Sequence, residues 1–269
     1  MKKKMIEKKS VIIDHFNQQV KDLHQNKTYK FGSENENYLL RHPYEHIEKI
    51  IKSHKFQKLK ILDYCCGTGV FSIYPALEGH KVYGVDISNE SIAIAKERAQ
   101  YFNIKNNCSF YCMDSEKLEF EDNSFDLVLS YNSLTYLNLP QALGEINRVL
   151  RNKGKLIIMD SLGHNFLYNL NRNSNINRWG RGIRKDLQLL KMKDIKQFSK
   201  LFYQNEIVYF GFLTSFLFFL NKILNIKINK IILSSAFKID KVIFKIPLFA
   251  FLAFKFVATL TSEKEKYEK

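Results

Sequence analysis

Apolar and polar residues fall in alternating blocks along this chain. Leu59–Asp63, Lys81–Asp86, Ser109–Met113, Phe125–Ser130 and Lys155–Asp160 are short runs dominated by apolar residues. Such runs suit strands buried on both faces. Between them the apolar spacing changes to that of helices. Gly69–Glu78 reads as one helix. Ser88 can cap a second that runs to about Phe102, with Ile92, Ala95 and Ala99 on one face. Pro140–Leu150 forms a third, with Leu143, Ile146, Val149 and Leu150 inward. Strand–helix alternation of this kind predicts a parallel sheet covered on both sides.

The flanks follow other patterns. Residues 1–58 read as a helical cap, Lys4–Asp22 and then Glu36–His54. Beyond residue 160, Leu187–Phe202 is helix-like, and Ile207–Leu213 and Ala253–Thr261 read as strands. Between those strands lies an insertion, Thr214–Leu248, in which apolar stretches alternate with lysines. The chain thus divides into a cap at 1–58, an α/β core at 59–160 and a further segment at 161–269.

Charge sharpens this division. The net charge is +15 over 269 residues. Residues 1–58 carry +6, residues 59–160 carry −3 and residues 161–269 carry +12. Basic flanks around an acidic core suit a phosphate-bearing partner, an anionic membrane surface or nucleic acid, or simply keep an apolar surface soluble. The four cysteines, Cys65, Cys66, Cys108 and Cys112, are too few for a disulfide scaffold and point to a reducing compartment. Their spacings match no usual zinc pattern, so no metal is expected. The lysine-rich start has no long apolar run behind it, and a cytoplasmic location is expected. The longest uncharged apolar run, 15 residues from Ile207 to Asn221, is short for a membrane span.

Three carboxylates end three successive predicted strands: Asp63, Asp86 and Asp114. Taken singly, each is a turn or cap residue. Together they converge on the carboxyl edge of the sheet, where open α/β folds bind ligands. Between the first two lies a glycine turn, Gly67-Thr68-Gly69-Val70-Phe71-Ser72. A nicotinamide site wants a third glycine where Ser72 stands. An acid just before the turn would also repel a pyrophosphate. A cationic ligand with an amino-acid end and a ribose, S-adenosylmethionine, suits these charges better.

Leu62-Asp63-Tyr64-Cys65-Cys66-Gly67-Thr68-Gly69 resembles motif I of the class I S-adenosylmethionine-dependent methyltransferases. Four further stretches resemble that family's motifs in order: Gly84–Ser88, Cys112–Ser115, Asn123–Val128 and Glu145–Gly154. The resemblance covers residues 59–160 and is nearest to the ubiquinone/menaquinone-methyltransferase-like small-molecule branch. It implies an α/β, Rossmann-like sheet of seven mostly parallel strands, helices on both faces and an antiparallel last strand. It implies S-adenosyl-L-methionine as cofactor. Gly67 and Gly69 would admit it, with Cys65 in the same loop. Asp63 would sit near its amino group, Asp86 and Ile87 at the ribose, Asp114 and Ser115 at the adenine, and Tyr131 near the methionine end. Because Cys65 stands where the family has glycine, that position is expected to avoid a positive φ.

Methyl transfer needs an aligned nucleophile, and a hydroxyl nucleophile gains from a base. His164, just past the fifth strand, is the candidate base; a loop histidine bonded to backbone is the competing reading. Tyr131, Tyr136 and the pair Arg41-His42 are candidates for lining the acceptor pocket. The expected activity is methyl transfer to an oxygen of a small-molecule, lipid-linked or glycan-linked acceptor. Residues 214–248 would cover the site as a lid or touch the inner face of a membrane peripherally. Two other readings stay open: a nucleic-acid methyltransferase, disfavoured because Ser130-Tyr131-Asn132-Ser133 is not the Asn/Asp-Pro-Pro-Tyr signature, and a non-catalytic S-adenosylmethionine-binding module.

Overall fold

The computed structural model describes residues 9, 11–14, 17, 41–54, 57–165, 169, 189–198, 200–225 and 228–264. In chain order the elements are α1 (His42–Ser53), β1 (Lys60–Tyr64), α2 (Ile73–Leu77), β2 (Lys81–Asp86), α3 (Asn89–Tyr101), β3 (Cys108–Cys112), β4 (Phe125–Tyr131), α4 (Leu139–Val149), β5 (Leu150–Ser161), α5 (Met192–Phe198), β6 (Phe202–Phe210), α6 (Leu213–Leu224), α7 (Lys230–Ile243) and β7 (Lys255–Ser262). Residues 9, 11–14 and 17 are helical, inside the first predicted helix.

The strands form one seven-stranded sheet in the order β3-β2-β1-β4-β5-β7-β6. β1 to β5 run parallel, and β7 is antiparallel to both β5 and β6. Strand alternation splits the core into layers. Leu62 and Tyr64 of β1 join Val128, Leu156 and Phe256 beneath α4 and α5. Ile61 points the other way, with Leu127, Ile157 and Val257 beneath Tyr44, Ile47 and Ile51 of α1. Cys66 is a packed thiol in a third group with Ile73, Ala95 and Phe110.

Element types agree with the pattern-based reading in the core, and the antiparallel last strand is present. Several boundaries need correction: the helix expected over Gly69–Glu78 is Ile73–Leu77, and β5 begins at Leu150 rather than Lys155. The predicted helix Leu187–Phe202 shrinks to Met192–Phe198, with 187 and 188 outside the described residues. The strand expected at Ile207–Leu213 instead spans Phe202–Phe210. Its first half, Tyr-Gln-Asn-Glu, is polar in sequence, with Tyr203 and Glu206 exposed. Gly211, at φ +81°, ends it.

The insertion folds as the helical hairpin α6–α7, placed between β6 and β7. Its anchor is Asp240 of α7, which is 1% exposed. The carboxylate accepts the backbone N–H groups of Leu213 (2.8 Å), Phe212 (3.2 Å) and Thr214 (3.3 Å), and the Thr214 hydroxyl (3.0 Å). Phe212, at the N-cap of α6, provides no side-chain cap of its own, so Asp240 supplies one from the neighbouring helix. Asp240→Ala is expected to cost about 2–4 kcal/mol, since it strands several inward-facing donors at once. The urea midpoint checks this, and Asp240→Asn should lose less.

Candidate cofactor and acceptor site

The strand order reverses between β1 and β4, and the crevice at their carboxyl ends is the expected ligand position in such sheets. There the chain leaves β1 through a turn whose alternate residues are left-handed: Cys65 at φ +58°, Gly67 at +52° and Gly69 at +71°. Cys65 therefore does adopt the positive φ that its side chain was expected to exclude. The turn requires it: Cys66 N–H must reach Val85 O (2.8 Å) to stay registered with β2. The Cys65 thiol donates to Ser115 Oγ at 3.2 Å. A Cβ on Gly69 would meet Ala95 and Phe110 at 3.0–3.2 Å, so this glycine serves close packing against α3. A Cβ on Gly67 would meet nothing within 4 Å, so this glycine lies open towards the cleft. From behind, the Arg98 guanidinium of α3 donates to Thr68 O and to Thr68 Oγ1.

Asp86 ends β2. Its carboxylate accepts Gly67 N–H (2.9 Å) and Ser88 N–H (3.0 Å). Burial pushes its carboxyl up, and those amides, with Ile87, pull it back. Ser88 in turn caps α3 by accepting Ser91 N–H at 3.0 Å.

The cleft has a volume of about 290 Å³. Cys65, Gly67, Asp86, Ile87, Asp114, Ser115 and Tyr131 line it, so seven of the sequence-predicted residues meet there. Three do not reach its wall. Gly69 lies behind the turn. Asp63 lies beneath it, 2% exposed, accepting the Ser72 hydroxyl. His164 is exposed, and its Nε2 accepts Met192 N–H at 3.1 Å.

The cleft also holds residues that no local pattern marks. Lys9 reaches in from the amino-terminal segment, its ammonium 2.5 Å from Asp114 Oδ2 and 2.7 Å from Glu116 Oε2. Ile12 lines the wall one helical turn on. Glu116 is 4% exposed and also accepts Asn138 N–H at 2.6 Å. Nothing in residues 1–20 announces this long-range pairing, although an acid two places after Asp114 was visible.

The other end of the cleft is aromatic. Tyr131 stacks on Phe71 at 4.4 Å, and Phe71 on Tyr44 at 4.9 Å. Burial holds the Tyr131 phenol well above its ordinary pKa. Asn132 follows Tyr131 on the wall, and Lys255 Nζ, at the start of β7, donates to Asn132 Oδ1 (3.0 Å) and Tyr44 Oη (2.8 Å). Tyr136 lines this region as well. Arg41 and His42 instead pair with Glu45 at 2.6 and 2.9 Å, and His42 stacks on Phe237.

Comparisons with known proteins agree with this geometry. Residues 62–158 match the family described as "Methyltransferase domain". The chain is 33% identical over 129 residues to the sterol 4-C-methyltransferase strm-1 of Caenorhabditis elegans, a stretch covering 44% of this chain and 39% of that protein. It is 35% identical over 115 residues to the ubiquinone/menaquinone biosynthesis C-methyltransferase UbiE of Blochmanniella pennsylvanica, covering 41% and 45%. The chain thus spans under half the length of these relatives. In fold it resembles geranyl diphosphate C-methyltransferase from Streptomyces coelicolor A3(2), solved with Mg2+, geranyl diphosphate and S-adenosyl-L-homocysteine, at TM-score 0.54 and 14% identity over 82% of this chain and 80% of that one. Residues 62–158 are thus similar to a methyltransferase domain, and the sheet that carries them has the fold of the solved neighbours. The two matched relatives are named for a sterol and for the quinones ubiquinone and menaquinone.

Asp86→Ala removes an ionised acceptor from both the cleft and the Gly67 amide. Affinity for S-adenosylhomocysteine should fall by more than ~1 kcal/mol, and unchanged affinity by calorimetry would count against the site. Asp63 offers a pH test. Burial raises its carboxyl from 3.8 to about 7, the Ser72 hydroxyl opposing and Asp86 adding to the rise. Between those values the folded state holds a proton that the unfolded chain releases, so stability falls as pH rises through the window. Urea midpoints across that range should show the decline, and Asp63→Asn should flatten it.

Proposed function

We propose that this chain transfers the methyl group of S-adenosylmethionine to an oxygen of a small lipophilic acceptor, lipid-linked or glycan-linked, in the cytoplasm or at the inner face of the membrane. The observation that carries the reading is the Asp86 carboxylate. It is fixed by the Gly67 and Ser88 amides and stands on the cleft wall beside a backbone that bears no Cβ. That arrangement can accept the paired hydroxyls of a ribose at close backbone approach.

Each of the other residues then has a task. Asp114, paired with Lys9 and oriented by Glu116 N–H (3.0 Å), accepts an adenine amino group. Cys65 and Ser115 define the wall beside it. Asp63, sealed under the turn, places negative charge beneath the amino-acid end; a cation above would draw its raised carboxyl back to the ionised form. When bound, the cofactor supplies an electrophilic methyl on a sulfonium, and the protein's part is alignment and exclusion of water. Tyr131 on the cleft wall, backed by Phe71 and the buried Tyr44, offers an aromatic surface to the acceptor. His164 is the proposed base. It stands where the chain leaves β5, and proton uptake at Nε2 requires its bond to Met192 N–H to open.

A second reading, methyl transfer to carbon, is favoured by the C-methyltransferase names of the matched relatives. Incubation of cell extract with the protein and isotope-labelled methyl donor separates the two, because the label appears on an ether or ester oxygen in one case and on carbon in the other. No labelled product from any extract would sink both. His164→Ala is expected to lower turnover while sparing affinity for S-adenosylhomocysteine; normal turnover would remove His164 from the mechanism.

A further inference from the structure

Among the described residues, most of the exposed large apolar side chains are gathered in one place. Of fifteen such side chains among those residues, ten lie between Phe216 and Phe251. On α7 the inward face is Leu233, Ala236 and Asp240. At 3.6 residues per turn, Ile231, Ile232, Ile239 and Val242 fall within an arc of about 100° on the outward side. Ile231 is 72% exposed. The patch continues through Ile246 and Leu248, also 72% exposed, into the 3-10 turn Pro247–Leu252. A helix packed on one side and apolar on the other is rare on a free surface.

The charge beside the patch says what covers it. The stretch Ile207–Ser262 contains seven lysines and a single acid, Asp240. That acid is turned inward to cap α6. Lys238, Lys241 and Lys245 are exposed beside the outward isoleucines. Glu206 is the exposed acid that acts on the same histidine, His46, as Lys241, and against it these three lysines leave the face net positive. Such a face repels a second copy of itself and attracts an anionic one. No helix among the described residues is long and apolar enough to cross a membrane. We propose that α6, α7 and the turn Pro247–Leu252 dock on an anionic lipid bilayer, the isoleucines at the level of the acyl boundary and the lysines among the head groups.

The placement gives docking a purpose, which rests on the reading of a lipid-linked acceptor. The hairpin leaves the sheet at Phe210 and returns at Lys255, next to the carboxyl end of β5, the edge where the cleft opens. Phe237 on its inner side stacks on His42 and Phe210. A docked protein therefore holds its acceptor end close to the membrane.

The test is flotation of the full chain with phosphatidylcholine vesicles and with vesicles that also contain phosphatidylglycerol. The chain should float with the anionic vesicles. The variant Ile231→Ser/Val242→Ser/Leu248→Ser should lose at least about tenfold in partitioning. The variant Lys238→Gln/Lys241→Gln/Lys245→Gln should lose binding and most of its salt dependence. Both variants should keep the parent's melting temperature and affinity for S-adenosylhomocysteine, because every substituted side chain is exposed. Parent protein that floats with neither vesicle, or an apolar variant that floats like the parent, overturns the proposal. So does a dimer, seen by light scattering, that the apolar variant dissolves while vesicles bind neither. Vesicle binding without affinity for S-adenosylhomocysteine would sink the methyl-transfer reading and leave the docking face standing.

Discussion

Asp86 accepts the Gly67 amide, and through that bond the tip of β2 fixes the turn that leaves β1. The cleft depends on this link. The turn reverses within a few residues while its amides bond to Val85 O, Asp86 and Cys66 O, and Cys65, Gly67 and Gly69 adopt left-handed backbone to do so. Two of the three are glycines and adopt it freely. Cys65 pays a small conformational cost, of order 1 kcal/mol, and its thiol bond to Ser115 offsets part of it while tying the turn to the segment after β3.

Much of this was legible in the amino-acid sequence, because the informative features are local. Apolar runs five or six residues long, each ending in an acid, mark Asp63, Asp86 and Asp114 without reference to the rest of the chain. Cys65 shows where local reasoning fails: a residue type was taken to decide the backbone, whereas the β1–β2 registry decided it. Lys9 was illegible for another reason. Its partners lie more than a hundred residues away, and one lysine among many in a basic segment carries no mark of its destination. The first half of β6 was missed because its polar residues, Tyr203 and Glu206 among them exposed, carry no apolar run to read.

His164 and Asp240 form an instructive contrast. Both are ionisable residues in the part of the chain that follows β4. His164 drew attention by its position after a strand, yet it holds a neighbouring amide at the surface. Asp240 lies mid-helix in a lysine-rich stretch, reads as an ordinary solvated charge, and proves to be almost wholly enclosed. Helical spacing could have shown this, since Asp240 continues the Leu233–Ala236 face.

The position of β7 bears on how the molecule is made. It lies between β5 and β6, although roughly a hundred residues separate its sequence from the β5 residues it pairs with. On a ribosome, β1 to β5 emerge long before this partner does. The long apolar flank of β5 must then wait with its amides and carbonyls unmatched, the situation in which strands find unwanted company. Closure of the sheet thus waits for residue 255 onward, and a chain stopped before it would lack the strand that joins β5 to β6.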